Sequence, residues 1–271
     1  MRFSFALLFL TFLCTCVRAQ TPTPDNYSQE KNSEKMMGIT DRQTLDEMMF
    51  YVPGIGSSAP TDLLRQNIKS YMMPIRKAPN ARMEWAYALT SALEYYYNLN
   101  NNYKENLSPD YLAMSLANQG TQPNMEDGLR FLATQGTVSA GIVSFGSVVI
   151  PGAVYSVPKV KISNFGYRFQ RDTKDRNKIF EVKKALSRGN PVLVELATPA
   201  GFDRVQGGTY LPSGPNVETH FLTITGYDSD AETFELRGSF GRMWGDGGYV
   251  RLGFADFGKL ANLGYVLIPA P

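Results

Sequence analysis

The hydrophobic period of this chain changes along its length, and that change limits the folds open to it. In the first half, apolar residues recur three and four apart. Trp85, Leu89, Ala92, Leu93 and Tyr96 form one stripe, which predicts a helix over residues 84–98. Ser108 followed by Pro109 reads as an N-cap with proline at the first helical position, so a second helix starts there. Residues 125–135 and 178–188 read as two more, the latter closed by Gly189-Asn190-Pro191. Past residue 190 the pattern shortens into the runs 192–196, 220–226, 233–237, 248–252 and 264–269. Clusters of Gly, Pro, Asp and Ser separate them, as in antiparallel strands joined by hairpins. Helices set ahead of a meandering sheet predict an α+β fold, not a doubly wound parallel sheet.

Two apolar stretches need separate treatment. Residues 1–19 carry a basic Arg2, an almost continuous apolar run from Phe3 to Val17, and Val17-Arg18-Ala19 ahead of Gln20. That is the pattern of a secretory signal peptide cleaved near Ala19-Gln20, which predicts a secreted or periplasmic protein. The run falls short of the roughly 20 residues a membrane span needs. Leu13-Cys14-Thr15-Cys16 matches a lipoprotein box poorly, so no lipid anchor is expected at Cys16. Residues 137–158 are also long and apolar, but Gly141, Gly146, Pro151, Gly152 and Pro158 interrupt them. They read as strands and turns of a globular domain, with no integral membrane span. Residues 20–60 form a polar lead-in with a Met-rich helical piece around 45–51 and a turn at Pro53-Gly54-Ile55-Gly56. From residue 61 to 271 no repeat or linker interrupts the chain, which predicts one domain there.

Composition excludes several chemistries. Both cysteines, Cys14 and Cys16, lie in the predicted signal peptide, so the remainder has no thiol for a disulfide, a zinc ligand or a nucleophile. Setting aside Arg2 and Arg18 from the 27 basic residues balances them against the 25 acidic ones. No basic excess is left to predict nucleic-acid binding. A single histidine, His220, is too few for a multi-histidine metal site, and no metal or cofactor is expected.

Four segments together resemble the papain family of cysteine peptidases. Arg82-Met83-Glu84-Trp85-Ala86-Tyr87-Ala88 is similar to the Gly-Ser-Cys-Trp-Ala-Phe-Ser segment that opens the family's central helix. Leu107-Ser108-Pro109-Asp110-Tyr111-Leu112 resembles its Leu-Ser-x-Gln-x-Leu second-helix start. Thr219-His220-Phe221-Leu222-Thr223-Ile224-Thr225-Gly226-Tyr227 resembles the strand that carries the catalytic histidine. Residues 237–249, with Gly238-Ser239-Phe240-Gly241 and Trp244-Gly245, resemble the family's Asn-Ser-Trp-Gly segment and the Trp-Gly pair beyond it. Glu84 lies 136 positions before His220 and 154 before Gly238, close to the roughly 130–150 the family keeps between its nucleophile and its histidine and asparagine. The match runs from about residue 60 to the end, weakest over 121–164, where only a strand at 159–164 aligns. The resemblance implies a helical half, with a central helix packed on a C-terminal antiparallel sheet or barrel.

Carried over position by position, the resemblance puts Glu84 where the family has its cysteine and Gly238 where it has asparagine. Ala78 falls near the oxyanion-holding glutamine, and only His220 is kept. A carboxylate is a poor nucleophile towards amides, and its charge opposes the oxyanion that acyl transfer must stabilise. A Glu84–His220 pair is expected to raise the histidine pKa, and Gly238 to leave the imidazole without its orienting side chain. Thiol proteolysis is therefore not expected. The implied function is a pseudopeptidase that binds a peptide or protein segment in the former active-site groove. Glu84, Trp85, His220, Gly120 and Thr121 are the groove candidates. Two alternatives stay open: a repurposed hydrolase using Glu84 and His220, with Glu218 as the nearest second carboxylate, or a structural subunit of a cell-envelope assembly. Trp244 and Tyr249 read as core aromatics, and Glu94 and Glu105 as carrying no evident chemistry.

Overall fold

The computed structural model describes residues 37–49, 51–56, 64–117 and 123–270. The predicted signal peptide with Cys16, and the groove candidates Gly120 and Thr121, lie outside the described residues. Six α-helices occur among them: α1 (Arg42–Met48), α2 (Glu84–Asn101), α3 (Pro109–Ala117), α4 (Met125–Thr134), α5 (Asp175–Ser187) and α6 (Phe254–Leu260). The strands are β1 (Arg65–Asn67), β2 (Ile162–Phe169), β3 (Val192–Thr198), β4 (Thr209–Tyr210), β5 (Glu218–Asp228), β6 (Thr233–Arg237), β7 (Tyr249–Gly253) and β8 (Ala261–Pro269). They form one sheet in the order β2-β8-β3-β5-β6-β7-β4, with β1 added on β5. Every pairing is antiparallel except the short β4–β7 contact. The α+β architecture is the one the change of period predicts.

The strands alternate between two cores. On β3, Val192, Val194 and Leu196 enter one cluster with Leu222, Ile224, Val182 and Phe257. Leu193 points the other way, into a cluster with α2, α3 and α4. On β8, Val266 and Ile268 join the first cluster, and Tyr265 and Leu267 the second. A two-residue period with both faces apolar is what a sheet covered on both sides requires. Helix α2 goes further than its predicted stripe, because 14 of its 18 residues are buried. It runs between the sheet and the other helices, so Tyr95 is buried as well as Tyr96 of the stripe. Their hydroxyls reach Gly189 O (2.7 Å) and Asn190 Oδ1 (2.8 Å).

Local signals set the helix ends. The amide of Tyr111 donates to Ser108 Oγ (3.0 Å), making the predicted N-cap of α3. Asn124 and Asp127 form a capping box on α4. Gly189 takes φ +84° after α5, and its N–H donates to Leu186 O at 2.8 Å, the left-handed stop that glycine permits.

Three expectations change. Residues 137–158 form turns, a 3-10 turn at Gly152–Tyr155 and isolated bridges, with no strand. The glycines and prolines break any ladder, and Val138, Val143 and Val154 instead build a small third cluster with Tyr111. The strand expected at 159–164 becomes a Thr137–Val160 bridge followed by β2, which continues to Phe169. The compact unit also starts at Met37, not at residue 61. Leu45, Met49 and Val52 are buried, Val52 N donates to Arg188 O (2.9 Å), and Ile39 bridges Gly166. Asp41 caps α1, which begins earlier than the expected 45–51. No helix among the described residues is long and apolar enough to cross a membrane.

Candidate functional site

The first turn of α2 meets the first residues of β5. A 3-10 turn over Ala81–Met83 delivers the chain to Glu84, the first residue of α2. Further along, the Thr223 hydroxyl donates to Ala88 O (3.3 Å) and ties helix to strand. Glu84 is 3% exposed and His220 5%. His220 Nδ1 lies 2.9 Å from Glu84 Oε2 and 3.2 Å from Oε1. The amide of Phe221 adds a longer bond to Oε2 (3.4 Å). On the other side of the ring, His220 Nε2 lies 3.2 Å from Glu218 Oε2, which also accepts from Gly201 N (3.2 Å). Phe202 and Phe240 stand on the imidazole, with ring centroids 5.0 and 5.4 Å away.

A neutral imidazole has one donor and one acceptor nitrogen, so it would leave one carboxylate facing a lone pair. The imidazolium donates from both nitrogens and satisfies both carboxylates. Burial pulls the His220 pKa down, but hydrogen bonds and charge from Glu84 and Glu218 outweigh it, and the net shift is upward. The His220 hydrogen bond in turn holds the Glu218 carboxyl below its ordinary value, aided by the Gly201 amide. A raised histidine contributes stability that is fully present below its unfolded value of about 6.5 and lost as pH rises through the folded value. His220 is the chain's single histidine, so its imidazole proton titrates as one resolved NMR signal. Its midpoint is expected above about 6.5 and should fall in Glu84→Gln; a wild-type midpoint at or below the ordinary value would contradict the doubly paired cation.

Glu218, named from the sequence only as the nearest second carboxylate, has a different place in the structure. Gly238 was expected to leave the imidazole without an orienting partner, but Glu218 supplies one. The signal was present: residues two apart on a strand share a face, and Glu218 is two before His220. Glu218 and Glu84 flank the ring itself, not a space between two carboxylates. Gly238 also has no room to be anything larger. A Cβ there would lie 2.7 Å from the Trp244 indole and 2.8 Å from the Phe240 ring, and Trp244 is fixed by its Nε1 bond to Phe202 O (2.7 Å). Trp244 and Tyr249 are buried.

The oxyanion side is also changed. Ala78 presents a methyl group, and its amide donates to Ser239 O (2.8 Å). The Glu84 amide is taken by Ala81 O within the 3-10 turn. A cleft of about 530 Å³ opens beside the pair, lined by Lys77, Ala78, Asn80, Glu84, Glu218 and His220 among others. Trp85, a groove candidate, does not line it. It is 2% exposed and packs inward, so close to α4 that a Cβ on Gly128 would fall 2.4 Å from its ring. Glu94, read as carrying no chemistry, is fully buried. It pairs with Arg76 (2.8 Å) and accepts from Leu107 N (2.7 Å). Among the described residues no group of His, Cys, Asp and Glu is placed to hold a metal ion.

The profile described as papain family cysteine protease matches residues 60–258, and the chain belongs to that family. Gamete and mating-type specific protein A of Dictyostelium discoideum is 24% identical over 195 residues, covering 68% of this chain and 41% of that protein. Fruit bromelain of Ananas comosus is 26% identical over 188 residues, 62% of this chain and 48% of that protein. The matches thus span less than half the length of these relatives. The cysteine protease CMS1MS2 of Carica candamarcensis, solved in complex with E-64, superposes with a TM-score of 0.62 at 17% identity, covering 77% of this chain and all of that one. The papain-like fold follows from these matches.

Proposed function

We propose that this protein is a pseudopeptidase of the papain family that holds an extended peptide or protein segment in its cleft without cutting it. The observation that carries the reading is the doubly bonded Glu84–His220 contact at the nucleophile position. An imidazolium locked between two carboxylates has no free nitrogen to accept a proton as a general base. The Ala78 and Glu84 amides, engaged within the backbone, are not free to hold an oxyanion. The open cleft beside the pair supports binding, and the N-terminal apolar segment supports export to a secreted or periplasmic location. No specific observation favours the hydrolase reading, since Glu84 and Glu218 both point at His220.

The test pairs turnover with binding. Fluorogenic peptide mixtures incubated with the purified protein should release no product above the buffer rate. An array of extended peptides should yield binders that are lost in Asn80→Trp, a change at the exposed cleft rim that leaves the buried pair untouched. Hydrolysis abolished by Glu84→Gln would replace this reading with the hydrolase one. Binding unaffected by Asn80→Trp would place the partner surface elsewhere and support a structural subunit.

A further inference from the structure

No charged residue lies between Arg130 and Lys159, and the loop in the second half of that stretch sends its apolar side chains two ways. Val143 and Val154, each 1% exposed, point inward and build the third cluster with Tyr111 and Val138. Val148, Val149 and Tyr155 point out and are 89%, 68% and 88% exposed. Phe145, with the Arg76 guanidinium 4.3 Å from its ring centre, is 40% exposed. The loop is tied down as well as anchored, because Lys159 Nζ donates to Val154 O. A fixed, uncharged loop that presents large apolar side chains to solvent marks a surface that something covers.

Area and charge indicate what covers it. A whole aromatic side chain covers about 150–250 Å². Four partly exposed side chains, two of them valines, therefore fall short of the about 800 Å² that each partner of a stable protein interface buries. The charge beside the loop is positive. Lys159 and Lys161 bond backbone carbonyls, Val154 O and Thr134 O (2.6 Å), and no carboxylate pairs with either among the described residues. Asp110 and Glu105, which touch the stretch, are taken up. Asp110 accepts from the Tyr87 hydroxyl (3.0 Å) and the Gly146 amide. Glu105 accepts from Ser139 Oγ (2.9 Å) and the Asn106 amide (3.0 Å). An apolar tip, an exposed tyrosine and unneutralised lysines match the layers of an anionic bilayer surface, where acyl chains, interface and headgroup charge follow one another. We propose that this loop docks the protein on an anionic lipid surface, with Val148, Val149 and Tyr155 entering the interface and Lys159 and Lys161 facing the headgroups. The docking is peripheral and independent of whether the cleft binds peptides.

The test is co-sedimentation with vesicles of phosphatidylcholine, with or without phosphatidylglycerol. Wild type is compared with Val148→Ser/Val149→Ser in the same chain, so that any contribution of the apolar residues 1–19 cancels. Wild type should bind the phosphatidylglycerol vesicles more tightly than the neutral ones, and added salt should reduce that preference. The double variant should weaken binding by about 10-fold or more, the value of withdrawing buried valine side chains from an apolar medium. Both valines are exposed, so the variant should keep the wild-type Tm. In Tyr155→Trp the added indole should shift its emission to the blue on phosphatidylglycerol vesicles, which locates the loop at the interface. Equal sedimentation of wild type and the double variant would place the contact outside the loop and overturn the proposal. Absence of binding to either vesicle, or a dimer in solution that the double variant dissolves, would assign the loop to a protein partner and overturn it too.

Discussion

Replacing His220 with alanine is expected to cost about 3–5 kcal/mol of folding stability, the range measured when one partner of a buried ion pair is removed. Glu84 keeps only the long Phe221 amide bond (3.4 Å) once the imidazole is gone, and it is 3% exposed at the base of the cleft. A carboxylate left in that position must protonate or draw in water, and either costs free energy. For a unit of this size each kcal/mol moves Tm by about 2–4 °C, so Tm should fall by about 6–20 °C. Glu84→Gln should cost less, about 1–3 kcal/mol, because the amide keeps an acceptor for one ring nitrogen and removes a charge. In a double-mutant cycle the pair His220→Ala, Glu84→Gln should recover much of the loss, giving a coupling energy above about 1 kcal/mol. Thermal or urea unfolding of the four proteins reads this directly. A His220→Ala loss below about 1 kcal/mol, within the range of surface pairs, would show that the contact does not hold the helix to the sheet.

The same pair shows what could be read from the residues and what could not. The helix opening at Glu84 and the strand carrying His220 were legible because each has a hydrophobic period. Their meeting followed from the resemblance, and the structure adds its geometry. Glu218 was named only as a second carboxylate, because the strand expected at 220–226 stopped short of it, whereas β5 starts at Glu218 and sets it on the face of His220. Glu94 was passed over for a related reason. A charged residue on an apparently amphipathic helix is assigned to the outer face, and α2 has almost no outer face. Trp85 carried two readings, a member of the apolar stripe and a groove candidate beside the nucleophile position, and its buried ring matches the first. Residues 37–49 were hidden by polarity: of α1 only Leu45 is buried, too sparse a pattern to announce that the segment packs on the domain.

That segment is held by charge as much as by apolar contact, and the second large effect is expected there. Arg168 on β2 is 1% exposed. Its guanidinium pairs with Asp46 of α1 (2.8 Å) and with Glu181 of α5. Asp46 also receives Lys184 and lies 3.8 Å from Arg188. Burial pushes its carboxyl up, but Lys184 and Arg168 outweigh that and hold it below the usual range. A depressed carboxyl contributes stability above its ordinary value of about 4 and loses it as pH falls through the folded value, so this clamp weakens only in acid. Arg168→Met should cost about 3–5 kcal/mol, because it leaves Glu181, itself 5% exposed, with only the longer Arg42 contact (3.7 Å). Replacing the two carboxylates as well, with Asp46→Leu and Glu181→Leu, should return part of that stability, since a buried ion triad gains little over apolar packing of similar volume, while Lys184 and Arg188 lose their Asp46 partner. Urea unfolding measures both. Limited proteolysis locates the loss, with Arg168→Met expected to open cleavage within residues 37–56 before the rest of the unit is cut. If the single variant matched wild type in both measurements, the Arg168 contacts would add little and the apolar contacts of Leu45, Met49 and Val52 would be what hold residues 37–56 to the domain.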